Sequence, residues 1–163
     1  MKAVDLFAGL GGWTEGAKQA SVRVQWSGNH WPAAVYNHQQ NHPEVEHVCQ
    51  DLRQANWTLL PLHDLLLASP SCQGFSPARG KDRPRHDAER ATAWAVVDAV
   101  ECCRPAFFAV ENVPEFARWV LYPAWTAAMN ALGYALRPYL VDAADHGVPQ
   151  NRIRLIVVGS KSK

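Results

Sequence analysis

Apolar residues along this chain fall into two rhythms. Short apolar-rich runs occupy residues 2–7, 22–27, 64–68, 106–110, 134–141 and 155–158, unbroken at 65–68, 106–110 and 155–158 and interrupted by polar residues in the others, with a briefer one at 47–49. Between them, at 12–20, 32–41, 87–103 and 123–132, apolar positions recur every three or four residues. The first rhythm predicts strands covered on both faces, and the second predicts helices with one buried side. In the helix at 87–103 that side comprises Ala91, Trp94, Ala95, Val97, Ala99 and Val100, and Arg104-Pro105 ends it. Pro32 opens the second helix at a position that needs no amide proton. Gly133 terminates the fourth.

Strands that alternate with helices imply βαβ units. The expected class is α/β: a Rossmann-like, doubly wound, mostly parallel sheet with helices on both faces, closed by right-handed crossovers. A chain of 163 residues fits one domain, 1–163. Ligands of such sheets bind at the carboxyl ends of the strands, so chemistry is expected just after each apolar run.

Composition narrows the classes. Hydrophobic residues make up 48% and charged residues 19%, which excludes a disordered chain. The longest apolar stretches are far short of the roughly 20 residues a membrane span needs. Met1-Lys2-Ala3-Val4-Asp5 runs straight into a strand rather than a signal peptide, so a soluble, cytoplasmic protein is expected. Sixteen Lys and Arg against fifteen Asp and Glu give a net charge of +1. Any nucleic-acid contact must therefore come from local clustering rather than a global field. Cys49, Cys72, Cys102 and Cys103 show no disulfide framework and read as reduced thiols. His38, His42, His47 and Cys49 are residue types that ligate zinc, but their spacing matches no common zinc pattern, and no metal is expected.

Four segments sit where ligand chemistry is expected. Asp5-Leu6-Phe7-Ala8-Gly9-Leu10-Gly11-Gly12 leaves the first strand, and its glycines allow a tight turn and close approach to a ligand beside a helix start. It lacks the dinucleotide fingerprint, so a nucleotide-type cofactor and a plain turn both remain open. Ser69-Pro70-Ser71-Cys72-Gln73-Gly74-Phe75-Ser76 follows the fourth strand. There Cys72 is either a small buried side chain or, with a lowered pKa, a nucleophile. Glu111-Asn112-Val113-Pro114 ends the fifth strand, where Glu111 is a turn residue or a general acid. Gln150-Asn151-Arg152-Ile153-Arg154 opens the last strand, and alternation would put Gln150, Arg152 and Arg154 on one face. Arg79, Lys81, Arg83 and Arg85 form a basic run after Cys72, readable as a lid over nucleic acid or as a solvated loop.

In order and spacing, these blocks resemble the cytosine-5 DNA methyltransferases, which use S-adenosylmethionine and include enzymes of restriction–modification. Asn41-His42-Pro43 and Asp51 also fit, and the resemblance runs from residue 4 to residue 159. It implies that Cys72 adds as a thiolate to carbon 6 of a flipped-out cytosine. Glu111 would bond ring nitrogen 3 and the exocyclic amine and give up a proton, a role that needs a protonated carboxyl. Arg152 would contact the ring carbonyl, with Arg154 in support. Phe7, Ala8, Gly9, Leu10, Gly11 and Gly12 would wrap the methionine portion of the cofactor, with Asn29, His30, Asp51 and Pro70 completing its site. Gln73, Ser76, Arg79, Lys81, Arg83 and Arg85 would face DNA.

The chain departs from the family pattern in three places. Asn29 stands where family members usually carry an acid for the ribose hydroxyls, and Pro70-Ser71 stands where they have two prolines. The C-terminal target-recognition region expected of the family is absent from the sequence. A second protein chain carrying target recognition is one way to supply it. The alternatives are a non-catalytic relic or binding subunit of a split methyltransferase, and an enzyme of the same fold acting on RNA cytosine.

Overall fold

The strand–helix alternation is present in the computed structural model, which describes residues 1–71 and 84–162, the side chains of 84–90 excepted. β1 (Lys2–Leu6) leads through the glycine turn into α1 (Gly12–Gln19). β2 (Arg23–Asn29), α2 (Pro32–Asn41) and β3 (Glu46–Cys49) follow, then β4 (Leu65–Ala68). After α3 (Pro84–Cys103) come β5 (Phe107–Asn112), α4 (Tyr122–Ala131), β6 (Tyr134–Asp142) and β7 (Ile153–Lys161). Among the described residues these strands form one sheet in the order β3-β2-β1-β4-β5-β7-β6. The pairs from β3 to β5 are parallel, while β7 runs antiparallel to both its neighbours. The expected Rossmann-like architecture is borne out.

Alternation along the strands divides the interior into two unlike layers. Val4, Leu6, Leu66, Phe108 and Val110 face α3 and α4, where Val96, Val100, Trp125 and Met129 complete a large apolar core. The other face is built from small residues, Ala3, Ala17, Val24, Val45, Leu67 and Ala109. Asp5, Thr14, Ser27, His38 and His42 are all buried as well. By the same alternation Asp5 and its cross-strand partner Ser27 share this second face.

Several boundaries differ from the sequence reading. The third helix begins at Pro84 rather than 87, because proline suits a first helical position and the polar run that follows offers no apolar rhythm. β7 extends well beyond 155–158 because it hydrogen-bonds on both sides, and ladder bonds do not require apolar side chains. Short 3-10 turns at Leu52–Gln54, Trp57–Leu59 and Ala143–His146 were not foreseen. Each is capped by an Asp or Asn (Asp51, Asn56, Asp142) that accepts from the amide two residues on, a local signal present in the sequence. Among the described residues no helix is long and apolar enough to cross a membrane.

Candidate active site

The turn after β1 bends through positive φ at Phe7 (57°), Gly9 (57°) and Gly11 (98°). Ala8 N donates to Gly28 O at 3.2 Å, and Gly11 N donates back to Ala8 O at 3.0 Å, fixing the turn against β2. Only glycine serves at Gly11: a Cβ there would lie 2.8 Å from the His42 ring. Gly9 faces open space.

Beside this turn lies a cavity of about 530 Å3, a size typical of small-molecule sites. Phe7, Asn29, His30 and Trp31 form one wall. Asn29 Oδ1 accepts from Trp31 N at 3.0 Å, which leaves the amide nitrogen as the donor Asn29 can offer a ligand. Ser69, Pro70 and Ser71 line the cavity beyond β4, with Thr92 of α3 behind them. Glu111, Arg152 and Arg154 supply its charged end.

That charged end is held by side-chain bonds over long sequence separations. Arg154 Nε meets Glu111 Oε1 at 2.8 Å, with both side chains about a quarter exposed. Asn112, fully buried, donates from Nδ2 to Pro70 O at 3.0 Å and accepts from Val113 N at 2.9 Å. It thereby ties the end of β5 to the segment that leads to Cys72. Ser71 N donates to Thr92 Oγ1 at 3.0 Å. Asp142 Oδ1 accepts from Arg152 N at 2.8 Å and from Ala144 N at 3.2 Å, clamping the approach to β7.

The structure thus gathers Phe7, Asn29, His30, Pro70, Glu111, Arg152 and Arg154 around one cavity. Ala8, Gly9, Leu10, Gly11 and Gly12 form the adjoining turn but do not line it. Asp51 does not line it either. Its carboxylate caps a 3-10 turn and grips Arg53 at 2.6 Å, and that bond holds its pKa below the usual carboxylate range. Gln150 does not share a face with the arginines, because β7 begins only at Ile153; it lines a separate shallow hollow with Asn151. Cys72, Gln73, Ser76, Arg79, Lys81 and Arg83 lie outside the described residues, as does the side chain of Arg85. Trp31, Ser69, Ser71 and Thr92 join the lining, and Asn112 and Asp142 support it; sequence reasoning gave none of the last five a role. Cys103 lies remote from this cavity, and burial pushes its thiol up to about 11. Within the histidine set His38 Nδ1 lies 2.8 Å from His47 Nε2, and among the described residues no group of His, Cys, Asp and Glu is arranged to hold a metal ion.

The family model for C-5 cytosine-specific DNA methylases matches residues 1–163. This chain belongs to that family. It is 33% identical to the Type II methyltransferase M.NlaX of Neisseria lactamica, with 97% of this chain and 51% of that protein covered. It is 32% identical to M.HgiDI of Herpetosiphon aurantiacus over 99% of this chain and 52% of that protein. Among solved structures it is similar to a prophage-encoded E. coli protein described as a DNA modification methyltransferase (TM-score 0.84, 27% identity, 99% of this chain and 47% of that one). Spodoptera frugiperda DNMT2, at TM-score 0.82 and 19% identity over 98% of this chain and 50% of that one, shares the fold. The chain spans about half the length of these cytosine methylase relatives.

Proposed function

We propose that this chain is the catalytic portion of an enzyme that transfers a methyl group from S-adenosylmethionine to carbon 5 of a flipped-out cytosine in DNA. One observation carries the reading. The Pro70–Ser71 segment that runs into Cys72 lines the same cavity as Glu111, Arg152 and Arg154, and the wall of that cavity leads into the glycine turn. The cavity suits the cofactor: it offers the faces of Phe7 and Trp31 and the Asn29 amide, and it adjoins a turn whose Gly9 faces open space. When bound, S-adenosylmethionine supplies an electrophilic methyl group on a sulfonium. Asp51, which caps a turn and pairs with Arg53, would serve the cofactor through carboxylate lone pairs that those bonds leave over.

The chain's own residues must make carbon 5 nucleophilic. The Cys72 thiolate adds to carbon 6, forming a C–S bond and pushing the ring electrons toward carbon 5 and nitrogen 3. Glu111 delivers a proton to nitrogen 3 as that charge builds, and Arg152 holds the ring carbonyl. Arg154, paired to Glu111 in the structure, orients the carboxyl. Once carbon 5 has gained its methyl group, its proton leaves to a base. The C–S electron pair restores the ring double bond and releases the thiolate. Extruding the base costs a few kcal/mol, which contacts from Arg79, Lys81, Arg83 and Arg85 to phosphates would offset.

One rival reading is a binding subunit without turnover. An oligonucleotide containing 5-fluorocytosine separates the two when a chain carrying target recognition is supplied. The expected result is a covalent adduct that Cys72→Ala abolishes. Cofactor binding with no adduct on DNA would establish the rival, and an adduct on RNA alone would move the substrate.

A further inference from the structure

The layer between the sheet and α1/α2 buries more polar chemistry than packing requires. Asp5 is wholly buried, its Oδ2 accepts from the Thr14 hydroxyl at 2.8 Å, and its Oδ1 has no partner. Thr14 Oγ1 lies 3.1 Å from His38 Nε2, and His38 Nδ1 lies 2.8 Å from His47 Nε2. These contacts link the end of β1 through α1 and α2 to partly exposed His47 on β3. We propose that Asp5, Thr14, His38 and His47 act as one hydrogen-bonded chain that positions the glycine turn and ties its geometry, and the affinity of the adjoining cavity for a cationic ligand, to solvent protons. The affinity clause rests on the cofactor reading above.

The donor arithmetic supports a chain with two polarities. With Asp5 ionised, Thr14 donates its one proton to the carboxylate, so its oxygen must accept from His38 Nε2–H. His38 Nδ1 then accepts from His47 Nε2–H. With Asp5 protonated every bond reverses, and the carboxyl donates to Thr14, Thr14 to His38 Nε2, and His38 Nδ1–H to His47 Nε2. Passing from the second state to the first moves each proton one bond outward, and one proton leaves from the far nitrogen of His47. A carboxyl with no access to water thus has a route to exchange its proton.

The chain brackets the turn. Asp5 lies two residues before Phe7, and Thr14 lies in the first turn of α1, whose N-cap is Gly11. Gly11 packs directly on the His42 and His38 rings. Burial pushes Asp5 up to about 7, while burial and the neighbouring His47 and His42 pull His38 down to about 4. Near neutral pH the carboxyl therefore titrates while His38 stays uncharged. The other titratable groups facing the chain are His42 on α2 and exposed Glu44 before β3. Opposite Asp5 stand Ser27 of β2 and Leu67 of β4, neither of which titrates in this range, and Glu15 and Lys18 of α1 are exposed. An ionised Asp5 favours a ligand bearing sulfonium and ammonium charge, and that ligand in turn favours ionisation.

The test follows the backbone amide resonances of Gly9 and Gly11 in the ligand-free chain from about pH 6 to about pH 8, in wild type, Asp5→Asn, Thr14→Val and Thr14→Ser. Support requires both glycines to titrate together in wild type and in Thr14→Ser, and to stay still in Asp5→Asn. Thr14→Val, which keeps the shape and removes the hydroxyl, should shift or flatten the titration. Glycine resonances that do not move in wild type, or that move unchanged in Asp5→Asn, overturn the chain. Over the same range the affinity for S-adenosylmethionine should rise about fivefold or more in wild type and hold level in Asp5→Asn. Titrating glycines with no cofactor binding at any pH would overturn the cofactor reading and leave the proton chain standing.

Discussion

Alanine at Gly11 should damage this protein in a way alanine at Gly9 does not. Both glycines sit at positive φ, 98° and 57°, where an L side chain costs about 1–2 kcal/mol. Both replacements recover about 0.4–1 kcal/mol by restricting the unfolded chain. The difference is space. A Cβ at Gly9 meets nothing within 4 Å, whereas at Gly11 it would sit 2.8 Å from two His42 ring atoms and 3.1 Å from His38. Carbon atoms prefer about 3.5–4.0 Å, so the rings must move or α1 must lift, at a cost of about 1–3 kcal/mol. Gly11→Ala should therefore be the less stable variant by about 1–3 kcal/mol in urea denaturation at neutral pH. At about 2–4 °C per kcal/mol for a chain of this size, thermal melting should show the same order. Adding His42→Ala to Gly11→Ala should remove most of the excess, giving a coupling of about 1–3 kcal/mol in the double-mutant cycle. Equal losses at the two glycines, or a double mutant that is simply additive, would refute the claim that the turn rests on the histidine rings.

Four further outcomes are expected. Gly159→Ala places a Cβ against the fully buried Phe108 ring and should cost at least about 1–3 kcal/mol, with cofactor affinity unchanged once the folded fraction is corrected for. Glu111→Gln should cost less than about 1 kcal/mol of stability, because its ion pair is partly exposed; adduct formation with 5-fluorocytosine should nevertheless slow by about 10²–10⁴-fold. Asp142→Ala frees the Arg152 and Ala144 amides and should cost about 1 kcal/mol while weakening oligonucleotide binding, measured by fluorescence anisotropy. Stability should also depend on pH with opposing signs. Asp5, raised from 3.8 to about 7, holds a proton in the folded state that the unfolded chain releases, so its contribution falls by about 4 kcal/mol as pH rises through that window. His38, lowered from 6.5 to about 4, makes stability rise from about pH 4 to 6.5 and offsets most of that fall. Melting temperatures of Asp5→Asn should therefore climb with pH over that range more steeply than those of wild type; a flat variant profile would contradict the His38 assignment, and a variant profile no steeper than wild type would contradict the Asp5 one.

The parts of this site that could be read from sequence are those carried by local signals. Buried parallel strands are continuous apolar runs, so their ends, and the motifs attached to them, could be placed to within a residue or two. Phe7, Pro70 and Glu111 reached the cavity for that reason. Asn112 and Asp142 escaped notice because their work is done by side chain to backbone bonds across 42 and 10 residues, and no local rhythm marks such a partner. The buried histidines were legible only in part. Their spacing matched no zinc pattern and no metal was expected, but nothing local marked the Thr14 hydroxyl, from another helix, that His38 Nε2 meets, or the Asp5 carboxylate beyond it.

The direction of β7 matters as much as its position. In a parallel sheet the carboxyl ends of the strands share one edge, and residues that open a strand lie at the opposite edge. Arg152 and Arg154 stand at the opening of β7, so a parallel β7 would carry them away from Phe7 and Pro70. Antiparallel pairing reverses this. It sets Leu155 and Ile156 beside Asn112 and Glu111 at the end of β5, and brings Arg154 within 2.8 Å of the Glu111 carboxyl. Alternation then turns Glu111 and Arg154 toward the α1/α2 face, where the glycine turn lies, while Leu155 and Val157 fill the opposite core. One reversed strand in an otherwise parallel order thus supplies the cations that the strand ends alone do not.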